Sequence, residues 1–170
     1  LAAHGVTVLS GLARGIDTAA HESCLAAGGR TIAVLGSGIR RIYPPENAGL
    51  AERIAANGAV VSQFWPDTAP ARYTFPRRNV VMSGMGQGTV VVEASETSGA
   101  KMQARFAIEH GKQVFLLASL VTDRPWARRY LARPGVTEVS EVGDIIRSLR
   151  SPGEVEQRAQ ERLQLSLDLI

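Results

Sequence analysis

A single cysteine, Cys24, stands in the 170 residues, so no disulfide can form within the chain and a reducing compartment, the cytoplasm, fits best. No apolar run approaches the ~18 residues that a membrane span needs, which argues against a membrane partner. The opening LAAHGVTVLSG has neither a basic n-region nor an initiating Met. That argues against a secretory signal and for a fragment or trimmed chain. Lysine is nearly absent: 17 of the 19 basic residues are Arg, leaving Lys101 and Lys112. No Walker lysine motif exists, and no Ser-His-Asp order with a nucleophile elbow.

What is present suits one globular domain, with 45% hydrophobic and 21% charged residues. The net charge of +3 hides an asymmetry. Residues 1–137 carry 15 basic against 9 acidic side chains, and residues 138–170 carry 4 against 7. Arg forks onto phosphate and stacks on bases, so a basic, Arg-rich body is compatible with nucleic acid. High genomic GC content gives the same bias, and composition alone leaves both readings open.

The chain is organised around TIAVLGSGIRRIYPP (31–45). A short β-branched run opens into Gly36-Ser37-Gly38, then Arg40, Arg41 and two prolines. Around it, strands are expected at 5–10, 31–35, 59–62, 89–93, 114–117 and 136–139. Helices are expected at 18–27 with Asp17 or Thr18 as cap, 47–56, from Val80 to Ser83, 101–110, 124–132, and 141–149 with Ser140 as N-cap. Their alternation predicts an α/β fold, a three-layer, Rossmann-like, doubly wound and mostly parallel sheet over residues 1–150. Ser151-Pro152-Gly153-Glu154 reads as a capping box opening a helical tail over 151–170, with a weak stripe of Val155, Ala159 and Leu163.

Four turns follow strand ends: Ser10–Gly15, Gly36–Gly38, Ser62 onward, and Ser95–Gly99. In a parallel sheet such turns share one edge, where backbone N–H groups and helix N-termini attract anions. Arg14, Arg40, Arg41, Arg77 and Arg78 lie in or beside them. Asp17 and His21, at i and i+4, fit a structural cap with a neighbouring histidine better than a metal pair, since no third ligand stands at a recognisable spacing. Glu93 closes its strand, as a ribose ligand or general base or as a loop anchor. Cys24 reads as a small core residue.

Four segments, SGLARGIDTAAH (10–21), GGRTIAVLGSGIRRIYPPEN (28–47), FPRRN (75–79) and VVVEASETSGAKMQARFAIEHGK (90–112), resemble the DprA/Smf family of DNA-processing proteins in order and spacing. The resemblance covers roughly residues 5–118. It implies a cytoplasmic, non-enzymatic, cofactor-free protein that binds single-stranded DNA in a basic pocket at the carboxyl edge of the sheet. It further implies protection of incoming strands in natural transformation, loading of the RecA recombinase, and a homodimer. Carried over by motif, the nucleic-acid-binding residues are Ser10, Gly11, Arg14, Gly15, Gly36, Gly38, Arg77, Arg78, Asn79, Ser98 and Gly99, with Phe75 or Tyr73 placed to stack a base.

The chain departs from the family pattern in several places. The family's first strand, with its Gly-Ser/Thr-Arg turn, is not seen, and neither is a winged-helix domain. Val80 replaces an arginine, Ala100–Ala104 replaces Ser-Leu-x-Thr-Ala, Ala118-Ser119 replaces Pro-Gly, and the Gly-Thr-Asn segment is not recognisable in 119–135. Two other readings are weighed. A LOG-type nucleoside-monophosphate phosphoribohydrolase would need PGGxGTxxE, which Met85–Glu93 meets poorly: the proline and one glycine are missing, and Glu93 is one residue too far from Thr89. A nucleotide-sensing module would use the same pocket, closed around a mononucleotide.

Overall fold

The computed structural model describes residues 1–149 and, beyond them, 153, 154, 157, 160, 161 and 164. Ser151 and Pro152 of the expected capping box, and the whole apolar stripe of the tail, fall on positions outside the described residues. Among the described residues six strands are present: β1 (Val8–Ser10), β2 (Thr31–Val34), β3 (Ala59–Val61), β4 (Gly88–Val91), β5 (Gln113–Leu117) and β6 (Val136–Val139). Within residues 1–149, seven α-helices join or follow them: α1 (Ile16–Ala26), α2 (Ala48–Asn57), α3 (Thr74–Met85), α4 (Gly99–Glu109), α5 (Ala118–Asp123), α6 (Pro125–Tyr130) and α7 (Val142–Ser148).

All ladders are parallel. They form two three-stranded sheets, β1-β2-β3 and β4-β5-β6, and no ladder joins β1 to β4. The parallel α/β, Rossmann-like architecture is therefore there, as two three-stranded half-sheets whose strand orders start from β1 and from β4. Helix α3 carries the chain between them and packs on both α4 and β2.

Period-2 alternation builds the layers of the second half-sheet. Val114 and Leu116 join Trp126, Ala104 and Ala107 on one side, whereas Phe115 joins Val139 and Ile145 on the other. Trp126 is fully buried and its indole N–H donates to the Ala94 carbonyl (3.2 Å), which satisfies the polar edge of a large apolar side chain. In the first half-sheet, Ala33 and Leu35 pack on Leu50, Ala51 and Ile54 of α2 and on Leu12. Cys24 is a core residue there, with its Sγ 3.3 Å from the Arg30 carbonyl.

Three helix starts differ from expectation, each for a local reason. Helix α3 begins at Thr74 and not at Val80. Pro76 is its third residue, where no intrahelical N–H bond is due, so the first turn accommodates the proline and the FPRRN segment is itself helical. Helix α1 has Gly15 as N-cap, with φ 79° and ψ −120°, and neither Asp17 nor Thr18 fills that place. Helix α7 is capped by Glu141, not Ser140, in a reciprocal box with Asp144. The N–H groups of Ser140 and Glu141 both bond the Asp144 carboxylate and, with Arg147 beside it, hold its pKa below the usual range. A further short helix, α5, fills a segment for which no element was expected.

Candidate functional site

The turns after β1, β2 and β3 and the first turns of α3 meet at the carboxyl edge of the first half-sheet, and Arg78 joins them. Arg78 as a whole is 7% exposed. Nη1 donates to the Gly11 carbonyl (2.6 Å) and the Val34 carbonyl (3.0 Å), at the ends of β1 and β2. Nε donates to Asn79 Oδ1 (2.9 Å), and Asn79 Nδ2 donates to the Gly99 carbonyl (3.3 Å). One hydrogen-bonded chain thus links Gly11, Arg78, Asn79 and Gly99 across 88 positions of sequence. Burial lowers the Arg78 pKa, and the nearby Asp17 charge opposes that shift. Its hydrogen bonds go to two carbonyls and an amide, none to a carboxylate. The cation is therefore held in place without being neutralised by contact.

The other expected residues surround this chain in different ways. Ser10 is buried, and its hydroxyl donates to Asp17 Oδ1 (2.7 Å), while Asp17 Oδ2 accepts the Ala13 N–H (3.1 Å). Asp17 thus braces the first turn from inside α1. Gly15 is the left-handed residue that turns the chain into α1. Gly36 lies under Phe75, whose Cδ1 would be 2.6 Å from a Cβ at that position, and its carbonyl meets the Thr74 hydroxyl at 2.5 Å. Gly38 is buried against the backbone of Trp65 and Pro66. Ser98 caps α4, its Oγ accepting from the Lys101 N–H (3.2 Å), and Gly99 is exposed as the first residue of that helix.

Arg14 and Arg77 face solvent. Arg14 is tied to Glu46, which lowers the Glu46 pKa and raises that of Arg14. Arg77 lies over the Tyr73 ring at 5.5 Å, so it has an aromatic neighbour and a charge free to meet an anion. Tyr43 and Phe75 pair at 5.9 Å beside Gly36. Glu93 is exposed two residues past the end of β4 and makes none of these bonds. Next to Ser98, an open groove of about 330 Å³ is lined by Glu96, Lys101, Met102, Arg105 and Tyr130, with Lys101 and Arg129 both on Glu96.

Asp17 and His21 do not form a metal pair. His21 is fully buried, with Nδ1 2.7 Å from Thr31 Oγ1, whose own proton goes to the Val8 carbonyl (2.8 Å). Nδ1 is therefore the protonated nitrogen, and Nε2 is buried without a partner. Among the described residues no group of three His, Cys, Asp or Glu side chains gathers to hold a metal. Burial lowers the His21 pKa more than the Asp17 charge and the Ser10 carbonyl raise it. The unfolded chain then binds the extra proton first, below about pH 6.5. Stability should fall on acidification from that point down to the folded pKa, with a slope of up to about 1.4 kcal/mol per pH unit. Urea melts between pH 7.5 and 5 test this, and His21→Gln should flatten the slope in that window.

Sequence reasoning missed Asn47, whose amide donates to the Leu12 carbonyl (2.8 Å) and to Thr18 Oγ1 (3.0 Å). It holds Leu12, a non-glycine residue at φ 61°, in the left-handed region. No local signal pairs position 47 with position 12; only the β-α-β crossover brings them together.

The sequence model of the DNA recombination-mediator protein A family matches residues 1–150. Protein Smf of Escherichia coli is 42% identical over 153 residues, which are 88% of this chain and 41% of that protein. DNA processing protein DprA of Bacillus subtilis is 40% identical over 123 residues, 72% of this chain and 41% of the relative. The chain thus spans about two fifths of the length of these curated relatives. Among solved structures, DprA of Streptococcus pneumoniae superposes with a TM-score of 0.72 at 32% identity, over 86% of this chain and 52% of that one. DNA processing protein A of Helicobacter pylori, whose structure concerns its single-stranded DNA binding mode, gives a TM-score of 0.76 at 26% identity, over 87% and 67%. Fold, motif order and these matches agree: the chain belongs to the DNA recombination-mediator protein A family, the DprA/Smf DNA-processing proteins.

Proposed function

We propose that this chain binds single-stranded DNA without base specificity at the carboxyl edge of its first half-sheet, as a binding and not a catalytic protein. The observation that carries the reading is the buried Arg78 cation, fixed by carbonyls at two strand ends and by Asn79. Arg77 and Arg14 would add phosphate contacts from the rim, the N–H groups of the Gly11–Gly15 and Gly36–Gly38 turns would cradle phosphate, and Phe75 or Tyr73 would stack a base. The single-stranded DNA binding of the Helicobacter pylori relative supports the ligand class. In keeping with the family, we place the chain in DNA uptake and RecA loading, acting in the cytoplasm as a homodimer. We read residues 1–150, the extent of the family match, as one Rossmann-like domain and 151–170 as a tail. Among the described residues no helix is long and apolar enough to cross a membrane.

Fluorescence anisotropy with labelled oligo-dT tests this. For about three neutralised phosphates the slope of log K on log salt is about −2, so a fourfold rise in salt should weaken binding roughly twentyfold. Arg77→Ala, an exposed change that leaves the fold alone, should make the slope shallower by about 0.7. Binding that ignores salt would sink the arginine mechanism. Stabilisation by mononucleotides with no binding of oligo-dT would replace the strand by a small ligand.

A further inference from the structure

We infer that Trp65 is a base-stacking platform that extends the nucleic-acid path beyond the Arg78 pocket to the loop after β3, an inference that rests on the single-stranded DNA reading above. The chain has two tryptophans, and their surroundings are opposite. Trp126 is 0% exposed, whereas Trp65 is 86% exposed, more than any other large apolar side chain among the described residues. Scattered surface hydrophobics are ordinary, but this one is held on a rigid mount. Its neighbour Phe64 turns inward, half-buried, with its N–H on Ser62 Oγ (3.0 Å), and that hydroxyl donates in turn to the Ser37 carbonyl (2.7 Å). The Gly38 N–H donates to the Thr68 carbonyl (2.8 Å), the Arg40 N–H to the Pro66 carbonyl (2.9 Å), and the Thr68 N–H to the Trp65 carbonyl (3.0 Å). Arg40 Nη1 closes the same loop on Asp67 (3.2 Å).

The backbone that carries the indole is thus bonded to the turn after β2, while the indole itself packs on little. An apolar ring fixed in solvent loses little backbone freedom when a partner covers it. Its position defines the partner. The loops after β1, β2 and β3 follow one another at a strand spacing of about 4.8 Å. Arg78 sits at the ends of β1 and β2, and Trp65 comes next along the same edge, with Arg40 and Arg41 on the adjoining turn. Phosphates held on the arginines would leave the bases of neighbouring nucleotides to meet a flat aromatic face, which every base can do.

The test uses the intact chain with labelled oligo-dT. Trp65→Ala should weaken binding about 5- to 100-fold, and Trp65→Phe should restore most of it. The salt slope should stay unchanged, because stacking releases no counterions. Tryptophan emission should be quenched on titration with unlabelled oligo-dT, and the quench should vanish in Trp65→Phe, where only the buried Trp126 remains. Unchanged affinity of Trp65→Ala, with the unaltered chain binding normally, overturns this inference alone. A shallower salt slope in Trp65→Ala also overturns it, since the effect would then run through the arginines. No binding by the unaltered chain overturns the DNA reading and this inference together.

Discussion

Arg78→Ala should lower the unfolding free energy by about 3 kcal/mol and abolish binding of single-stranded DNA at moderate salt. The Gly11 and Val34 carbonyls and Asn79 Oδ1 would all lose their donor in a buried place. Hydrogen bonds to charged groups are worth ~1.5–3 kcal/mol each and do not add fully, which gives the figure. Against a total stability of ~5–15 kcal/mol the loss is large. For a chain of this size it corresponds to a fall in Tm of roughly 6–12 °C. Arg78→Lys separates the two roles. It keeps the charge, but an ammonium on a flexible stem cannot hold all three acceptors of a planar fork. Part of the binding should therefore return at low salt while most of the stability loss remains. Urea melts and anisotropy on both variants decide the matter. A loss below about 1 kcal/mol in the alanine variant, with DNA binding intact, would mean that Arg78 neither clamps the turns nor supplies the charge.

Gly38→Ala should be of similar size, for a steric reason. A Cβ at Gly38 would overlap the carbonyls of Trp65 and Pro66, which are backbone atoms and cannot rotate aside. Those residues are bonded to the 38–40 turn, so relief requires the whole 65–68 segment to lift. Overpacking of this kind costs ~1–3 kcal/mol and occasionally more. We expect the upper end, with new protease cleavage in the 62–73 loop and loss of the Trp65 contribution to binding. Gly49→Ala is the internal control. It lies in α2 with nothing within 4 Å of the added methyl, and it should stabilise by up to ~1 kcal/mol. Equal melting behaviour in the two variants would rule out the close approach at Gly38.

Much of this was legible in the chain itself. Short β-branched runs ending in glycine, separated by helix-length segments, specify parallel strands with small-residue turns at one edge, because period and turn chemistry are local properties. All six strands and the family motifs follow from that, as does Cys24 in the core. The start of α3 was misjudged because Pro76 punctuates a sequence whether it ends a segment or opens a helix. Only its place within the first turn, fixed by Thr74 on the Gly36 carbonyl, decides between the two. The motif singled out Arg77, Arg78 and Asn79 as equals, but burial divides them: Arg77 is a rim cation, while Arg78 and Asn79 form the internal brace. Trp65 and Phe64 are adjacent aromatics in a loop, and nothing in their sequence says which turns outward. Local propensity and spacing therefore determined the elements and the edge where a ligand belongs. Which side chains face that ligand, and which hold the turns that do, depends on contacts between residues as distant as 11 and 78, which exist only once the chain is folded.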